Sequence, residues 1–290
     1  TCTVSACDAP YLDCATGGGC ETDGSVDALH CGSCTNACAW GACSGGLCND
    51  PVQVSAGREF TCLRRRDGTV YCWGSNSNGQ LGDGTTTEHH APAVVPGLVT
   101  QTLDAGLFHV CSVRTDGSVL CWGANESGQT TLGAHVDAPR PDPANAFDVA
   151  TLLGEPVAQL AAGVSHTCAR GVGHRDVCWG NNGHGQLGQG TVTPVAGLAV
   201  TMGATNRLEL DSGTSHACFR NEMGSVACWG FNSSGQVGNG TTTDAPSPAS
   251  AWMMGDAVEV ATGHGHSCLR RSTGEVRCWG RNFNGQLGDG

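Results

Sequence analysis

The sequence predicts an all-β protein in which short antiparallel sheets are arranged radially, preceded by a small disulfide-rich module. Three observations predict it. The 290 residues include 45 Gly and 19 Cys but are only 14% charged. A unit of about fifty residues recurs from residue 51 onward, and looking for such a period comes first in a Gly-rich chain. Inside each unit, two alternating segments flank a Gly-containing turn, as in a β-hairpin.

The first region, residues 1–50, holds nine cysteines, Cys2, Cys7, Cys14, Cys20, Cys31, Cys34, Cys38, Cys43 and Cys48. Its few large apolar side chains, such as Leu12, Leu29, Trp40 and Leu47, cannot offset the conformational entropy of fifty ordered residues. Covalent staples are therefore expected, with zinc at Cys31-x-x-Cys34 as the alternative. Nine is odd, so one thiol stays free or pairs outside the chain, and Cys2 is the candidate. The stretch from Cys14 to Cys48, with Gly19-Cys20-Glu21-Thr22-Asp23 and His30-Cys31-Gly32-Ser33-Cys34, resembles cysteine-rich modules of myxobacterial type from secreted and surface proteins.

The repeat region, 51–290, divides at about 51–99, 100–155, 156–206, 207–255 and 256–290, the last incomplete. Cys-Trp-Gly occurs five times, with its Trp at 73, 122, 179, 229 and 279. Ten residues before each of these cysteines stands another, and five residues earlier stands Gly57, Gly106, Gly163, Gly213 or Gly263. After each Trp come Asn and then Gly-Gln, followed by Leu-Gly or Val-Gly except in the second repeat, where Thr130-Thr131 intervene.

Each hairpin has a three-residue loop with Gly in the left-handed position, at 68, 117, 224 and 274. His174 fills that slot in the third repeat, and a different turn is expected there. With Arg66-Asp67-Gly68 as the loop, Cys62 faces Cys72. Opposed residues lie close enough for a disulfide, which predicts the pairs Cys62–Cys72, Cys111–Cys121, Cys168–Cys178, Cys218–Cys228 and Cys268–Cys278. Reduced core cysteines and bridges between neighbouring units are the alternatives. Each Trp follows a Cys and so points to the opposite face, where its indole packs between successive sheets. His109, His166, His216 and His266 stand two residues before the first Cys, with Phe60 in the first repeat. Their recurrence makes them packing and hydrogen-bonding groups rather than metal ligands.

Repeats of this length, with short strands and a Trp each, indicate blades around an axis, a β-propeller. The string Ala-Gly-x-x-His-x-Cys-x-Leu-Arg-x-Asp-Gly-x-Val-x-Cys-Trp-Gly-x-Asn-x-x-Gly-Gln-Leu-Gly resembles the regulator of chromosome condensation repeat family over residues 52–290. The resemblance implies a propeller that is seven-bladed in its best-known members. About five repeats are present, so a part of a larger ring is expected, as is a processed chain at Thr1, where no Met stands.

Function is less legible. All fourteen basic residues are Arg against 26 Asp plus Glu, a net charge of −12, which excludes the basic stripe of a nucleic-acid binder. No stretch is long and apolar enough to span a bilayer. The cysteine count points to an exported chain that is extracellular, on the cell surface or periplasmic. Motifs of hydrolases, phosphate-binding loops, zinc proteases and haem attachment are absent, so no catalytic residue, cofactor or metal site is expected. The resemblance does not carry function. The chain is similar to a secreted bacterial enzyme inhibitor that uses the same kind of propeller as a protein-binding face, and that resemblance makes protein recognition or adhesion the leading expectation. The segments 85–99, 132–153, 192–206 and 241–254 vary while the frame stays constant, and the longest, with His135, Arg140 and Phe147, is the candidate binding loop. Trp252-Met253-Met254 is expected to be buried under the next blade, with an exposed apolar anchor as the alternative. Self-association into an extracellular filament or surface assembly is the rival, and an enzyme with a loop-borne site the third possibility.

Overall fold

The computed structural model describes residues 11–12, 22–23, 43–44, 47–130, 137–142, 148–193, 198–201, 206–251 and 255–290. Of the first region these include two small ladders, β1 (Tyr11–Leu12) with β2 (Thr22–Asp23) and β3 (Cys43–Ser44) with β4 (Leu47–Cys48). Cys43 lies opposite Cys48 in register, and both are in disulfides. The other seven cysteines of the first region, Cys2 among them, lie outside the described residues.

The repeats form antiparallel sheets in sequence order. Blade 1 is β5 (Pro51–Ala56), β6 (Phe60–Arg65), β7 (Thr69–Gly74) and the first part of β8 (His89–Ala105). The seventeen-residue β8 runs on into blade 2, where its end pairs with β9 (His109–Arg114), itself paired with β10 (Val119–Gly123). A single bridge between Gly123 and Ala138 stands in the fourth position of blade 2. After the helical turn α1 (Val149–Leu153), blade 3 is β11 (Val157–Ala162), β12 (His166–Gly171), β13 (Asp176–Gly180) and β14 (Ala199–Val200). Blade 4 is β15 (Arg207–Ser212), β16 (His216–Asn221), β17 (Val226–Gly230) and β18 (Ala245–Ser250). Blade 5 shows β19 (Ala257–Thr262), β20 (His266–Arg271) and β21 (Val276–Gly280). The first strand of each blade lies against the first strand of the next, so these strands line the axis.

The hairpin registers place each cysteine pair face to face, with Cα atoms 4.0–4.2 Å apart and the sulfurs bonded. Among the described residues no cysteine is free. The third hairpin corrects the expectation of a different turn: His174 adopts φ 70°, the left-handed conformation that Gly takes elsewhere, and Cys168 still faces Cys178. A short contact compensates the cost of that conformation in a non-Gly residue, His174 Nδ1 lying 2.6 Å from the Arg207 carbonyl oxygen. The Gly of Cys-Trp-Gly has φ from 98° to 109°, and a Cβ there would meet the carbonyl oxygen of residue 59, 108, 165, 215 or 265. Only Gly fits that approach.

The four variable segments are not loops throughout. They carry the fourth strands, within β8, in β14 and in β18, and the segment 132–153 ends in α1. An outer strand pairs on one edge only, so few neighbours constrain its sequence. For α1, Asp148 caps the start by accepting from the Thr151 N–H, and Gly154 ends it at φ 73°.

Candidate interaction surface

Junctions between blades are wired by repeat residues. In blades 2 to 5 the Trp indole N–H donates to the carbonyl of the Gly-Gln glutamine in the preceding blade: Trp122 to Gln80, Trp179 to Gln129, Trp229 to Gln186 and Trp279 to Gln236, at 2.8–3.0 Å. The glutamine turn is held by the Asn that follows Trp-Gly. Asn76, Asn182, Asn232 and Asn282 accept from the N–H of Leu81, Leu187, Val237 and Leu287. In blade 2 Thr130 N–H takes that place on Asn125, so this bond of the turn is kept. Along the axis, side chains of one first strand bond the backbone of the next, as Gln53 does to Leu103, Asp104 to Ala162, Gln159 to Leu210 and Asp211 to Thr262.

The recurring histidines form an internal file. His109 Nε2 lies 2.8 Å from Thr167 Oγ1 and His216 Nε2 lies 2.9 Å from Ser267 Oγ, each reaching the following blade. Ala217 occupies the repeat position that Thr167 and Ser267 hold in the other blades, and His166 has no hydrogen-bond partner on either nitrogen. In the first repeat Phe60 and Val110 hold the two slots, an apolar pair in the same packed cluster. Burial lowers the pKa of His109 to about 4. Burial and then the neighbouring imidazoles lower His166 and His216 to about 3. Beside the axis, burial and then the Asp211 charge push Asp104 up to about 6, against hydrogen bonds from Ala162, Ser55 and Ala105. Among the described residues no group of three or more His, Cys, Asp or Glu is arranged to hold a metal ion. None of their helices is long and apolar enough to cross a membrane.

Of the candidate binding loop, His135 and Phe147 lie outside the described residues, as do Trp252, Met253 and Met254. Arg140 is exposed on the wall of a cleft of about 360 Å³ between blades 1 and 2, with Leu98, Leu120 and Pro141 as its apolar lining and Arg114 beside it. Arg114 is paired with Asp116 at 2.9 Å.

A second surface escaped the sequence reasoning. The residue after Cys-Trp-Gly is Ser75, Ala124, Asn181, Phe231 or Arg281, and its N–H donates to the carbonyl three residues before the first hairpin Cys, at Glu59, Phe108, Ser165, Ser215 or Gly265. That bond is constant, so it fixes five varied side chains on one rim, together with residues 58, 107, 164, 214 and 264, which are Arg, Leu, Val, Thr and His. On this rim Arg58 stacks over Phe108 at 5.7 Å, His184 packs on Phe231 at 4.6 Å and Arg281 stacks over Phe283 at 5.0 Å. The available signal was variation at fixed register beside invariant glycines.

Two sequence models of the Regulator of chromosome condensation (RCC1) repeat match this chain, one over residues 67–113, 116–170 and 223–269 and the other over 52–80, 101–129 and 257–286. The chain belongs to the RCC1 repeat family. Among solved structures of RCC1-like fold, Prp20p of Saccharomyces cerevisiae, studied for its binding to Gsp1p and histones, superposes with a TM-score of 0.70 at 21% identity, covering 81% of this chain and 58% of that one. Human WBSCR16 gives 0.71 at 22% identity, covering 82% and 63%. Yeast RCC1 (Prp20) in complex with Kap60 gives 0.66 at 21%, covering 80% and 56%. The chain thus spans about three fifths of the length of these structures, and at such identities the likeness is one of fold.

Proposed function

We propose that this RCC1-repeat chain is an exported protein-recognition or adhesion module, working at the cell surface or outside the cell, with the N-terminal cysteine-rich region as stalk or linker. One observation carries the reading: a frame constant in every blade fixes side chains that differ from blade to blade on a single rim, the arrangement by which rigid scaffolds present binding residues. Protein partners of RCC1-like proteins, such as Gsp1p and Kap60, support the class of activity without naming a partner here. Five cross-strand cysteine pairs support an oxidising location.

The test has two arms. Cells of the source are fractionated, and thiols of the chain are alkylated before and after reduction; the chain is expected outside the cytoplasm, with the propeller cysteines alkylated only after reduction. Cytoplasmic chain with alkylated hairpin cysteines would overturn export. Purified chain is then cross-linked to surface proteins of the source, and a saturable partner that ignores a chain with Phe231→Ala and Phe283→Ala is expected. Self-association as the sole product would favour the filament reading instead.

A further inference from the structure

We propose that the rim across blades 3 to 5 is the docking surface for a polypeptide segment presenting a carboxylate next to an apolar side chain, an inference that rests on the protein-recognition reading. The surface is built from His184, Phe231, Arg281 and Phe283. Phe231 and Arg281 occupy the same position in neighbouring blades, each fixed by a backbone bond to the adjoining turn, Phe231 N–H to Ser215 and Arg281 N–H to Gly265. His184 of blade 3 packs on Phe231 of blade 4, so the aromatic strip crosses that junction. Phe283 is 82% exposed. Ser77, Glu126, Gly183 and Ser233, at the same turn position in the other blades, are exposed as well.

The charge argument selects the partner. The Arg281 side chain has no hydrogen-bond or ion-pair partner among the described residues; its Nε is buried, and its guanidinium lies over the Phe283 ring. Nearby carboxylates are engaged elsewhere: Asp244 with His184 and the Asn232 N–H, and Asp289 with the Asn282 amide. Stacking leaves the terminal N–H groups of the guanidinium free, and their end-on fork matches a carboxylate. Aromatic rings beside an Arg are the composition of energetically dominant interface centres. At the corresponding rim of blades 1 and 2, Arg58 stacks on Phe108 but lies 3.8 Å from Glu59, so its charge is partly met within the chain.

The experiment uses the whole chain and short random peptides displayed on phage. Enriched peptides are expected to carry Asp or Glu beside an apolar residue. A synthetic copy of one should lose about tenfold or more in affinity for chains carrying Arg281→Glu or Phe283→Ala. Its Asp/Glu→Lys counterpart should bind Arg281→Glu better than the original chain, which separates charge pairing from general damage. Near-ultraviolet circular dichroism confirms that each variant is folded. Peptides bound equally by all variants would overturn this surface while leaving protein recognition standing. Enrichment of basic or uncharged peptides would overturn the chemistry, and no enrichment of any peptide would overturn both.

Discussion

The junction between blades 2 and 3 and the junction between blades 3 and 4 are built from the same repeat positions and solved by different physics. At the first, Val119 and Val157 fill two facing slots inside one apolar cluster, and His109 finds the Thr167 hydroxyl. At the second, Asp176 and Arg207 hold the same two slots as a fully buried ion pair, with Arg207 stacked over Phe219 at 4.3 Å. Burial raises the Asp176 pKa, and the Arg207 charge opposes that rise. The rung there is broken as well, because Ala217 offers His166 nothing. At the junction of blades 4 and 5 the slots return to Val226 and Ala257. A repeat frame therefore tolerates charge in its core where both slots change together, since either charge alone would be stranded.

The largest break in this comparison is Asp176→Ala or Arg207→Ala, each expected to cost about 3–5 kcal/mol in urea unfolding because the remaining charge stays buried. The double variant Asp176→Val with Arg207→Ala rebuilds the slots as blades 4 and 5 have them, and is expected to regain most of that loss. Equal damage in the double variant would mean that the pair supplies stability beyond mutual compensation.

Next is the Cys168→Ala, Cys178→Ala chain. Its hairpin bond closes a loop with a sequence separation of 10, and the chain-entropy estimate for its loss is about 3 kcal/mol at most. Differential scanning calorimetry against the matching blade 2 variant would show whether the two junctions depend equally on their staples.

Acidification sharpens the contrast through His166. Its folded-state pKa, about 3, lies below the 6.5 of an unperturbed His, so the unfolded chain binds the proton first. The stability contribution is present above pH 6.5 and is lost as pH falls toward 3. In His166→Phe, which copies the Phe60 slot, that dependence is removed. The variant should gain on the parent by up to about 1.4 kcal/mol per pH unit through the window. Parallel unfolding curves at pH 7 and 5 that shift equally in both chains would refute it. Asp104, with its folded pKa near 6, acts with the opposite sign: the folded state holds its proton better, so its penalty grows as pH rises from about 3.8 to 6.

The smallest change is Ala217→Ser, which supplies the hydroxyl that Thr167 and Ser267 supply to the other rungs and should add about 1 kcal/mol. Amide hydrogen exchange at the blade 3 and 4 junction is the readout, with slower exchange expected.

Much of the frame was legible because it is local. A three-residue turn fixes the hairpin register, and that register sets Cys62 against Cys72 and its four counterparts whatever lies around them. The period exposed the blades, and the alternation placed Trp and Cys on opposite faces. The fourth strands carry little sequence pattern because they pair on one edge only, and the turn at His174 departs from the sequence expectation because a tertiary contact to Arg207 holds it in a conformation His seldom adopts. The rim was missed because its residues are scattered one or two per repeat.

The sequence by itself determined the hairpins, their opposed cysteines and the five-fold recurrence, all consequences of short-range geometry repeated along the chain. Only the tertiary structure decided that Asp176 meets Arg207, that His166 meets Ala217, and that Phe231, Arg281 and Phe283 share one rim. Those encounters depend on how neighbouring blades dock across tens of residues of chain, a relation set by packing between sheets and carried by no local pattern.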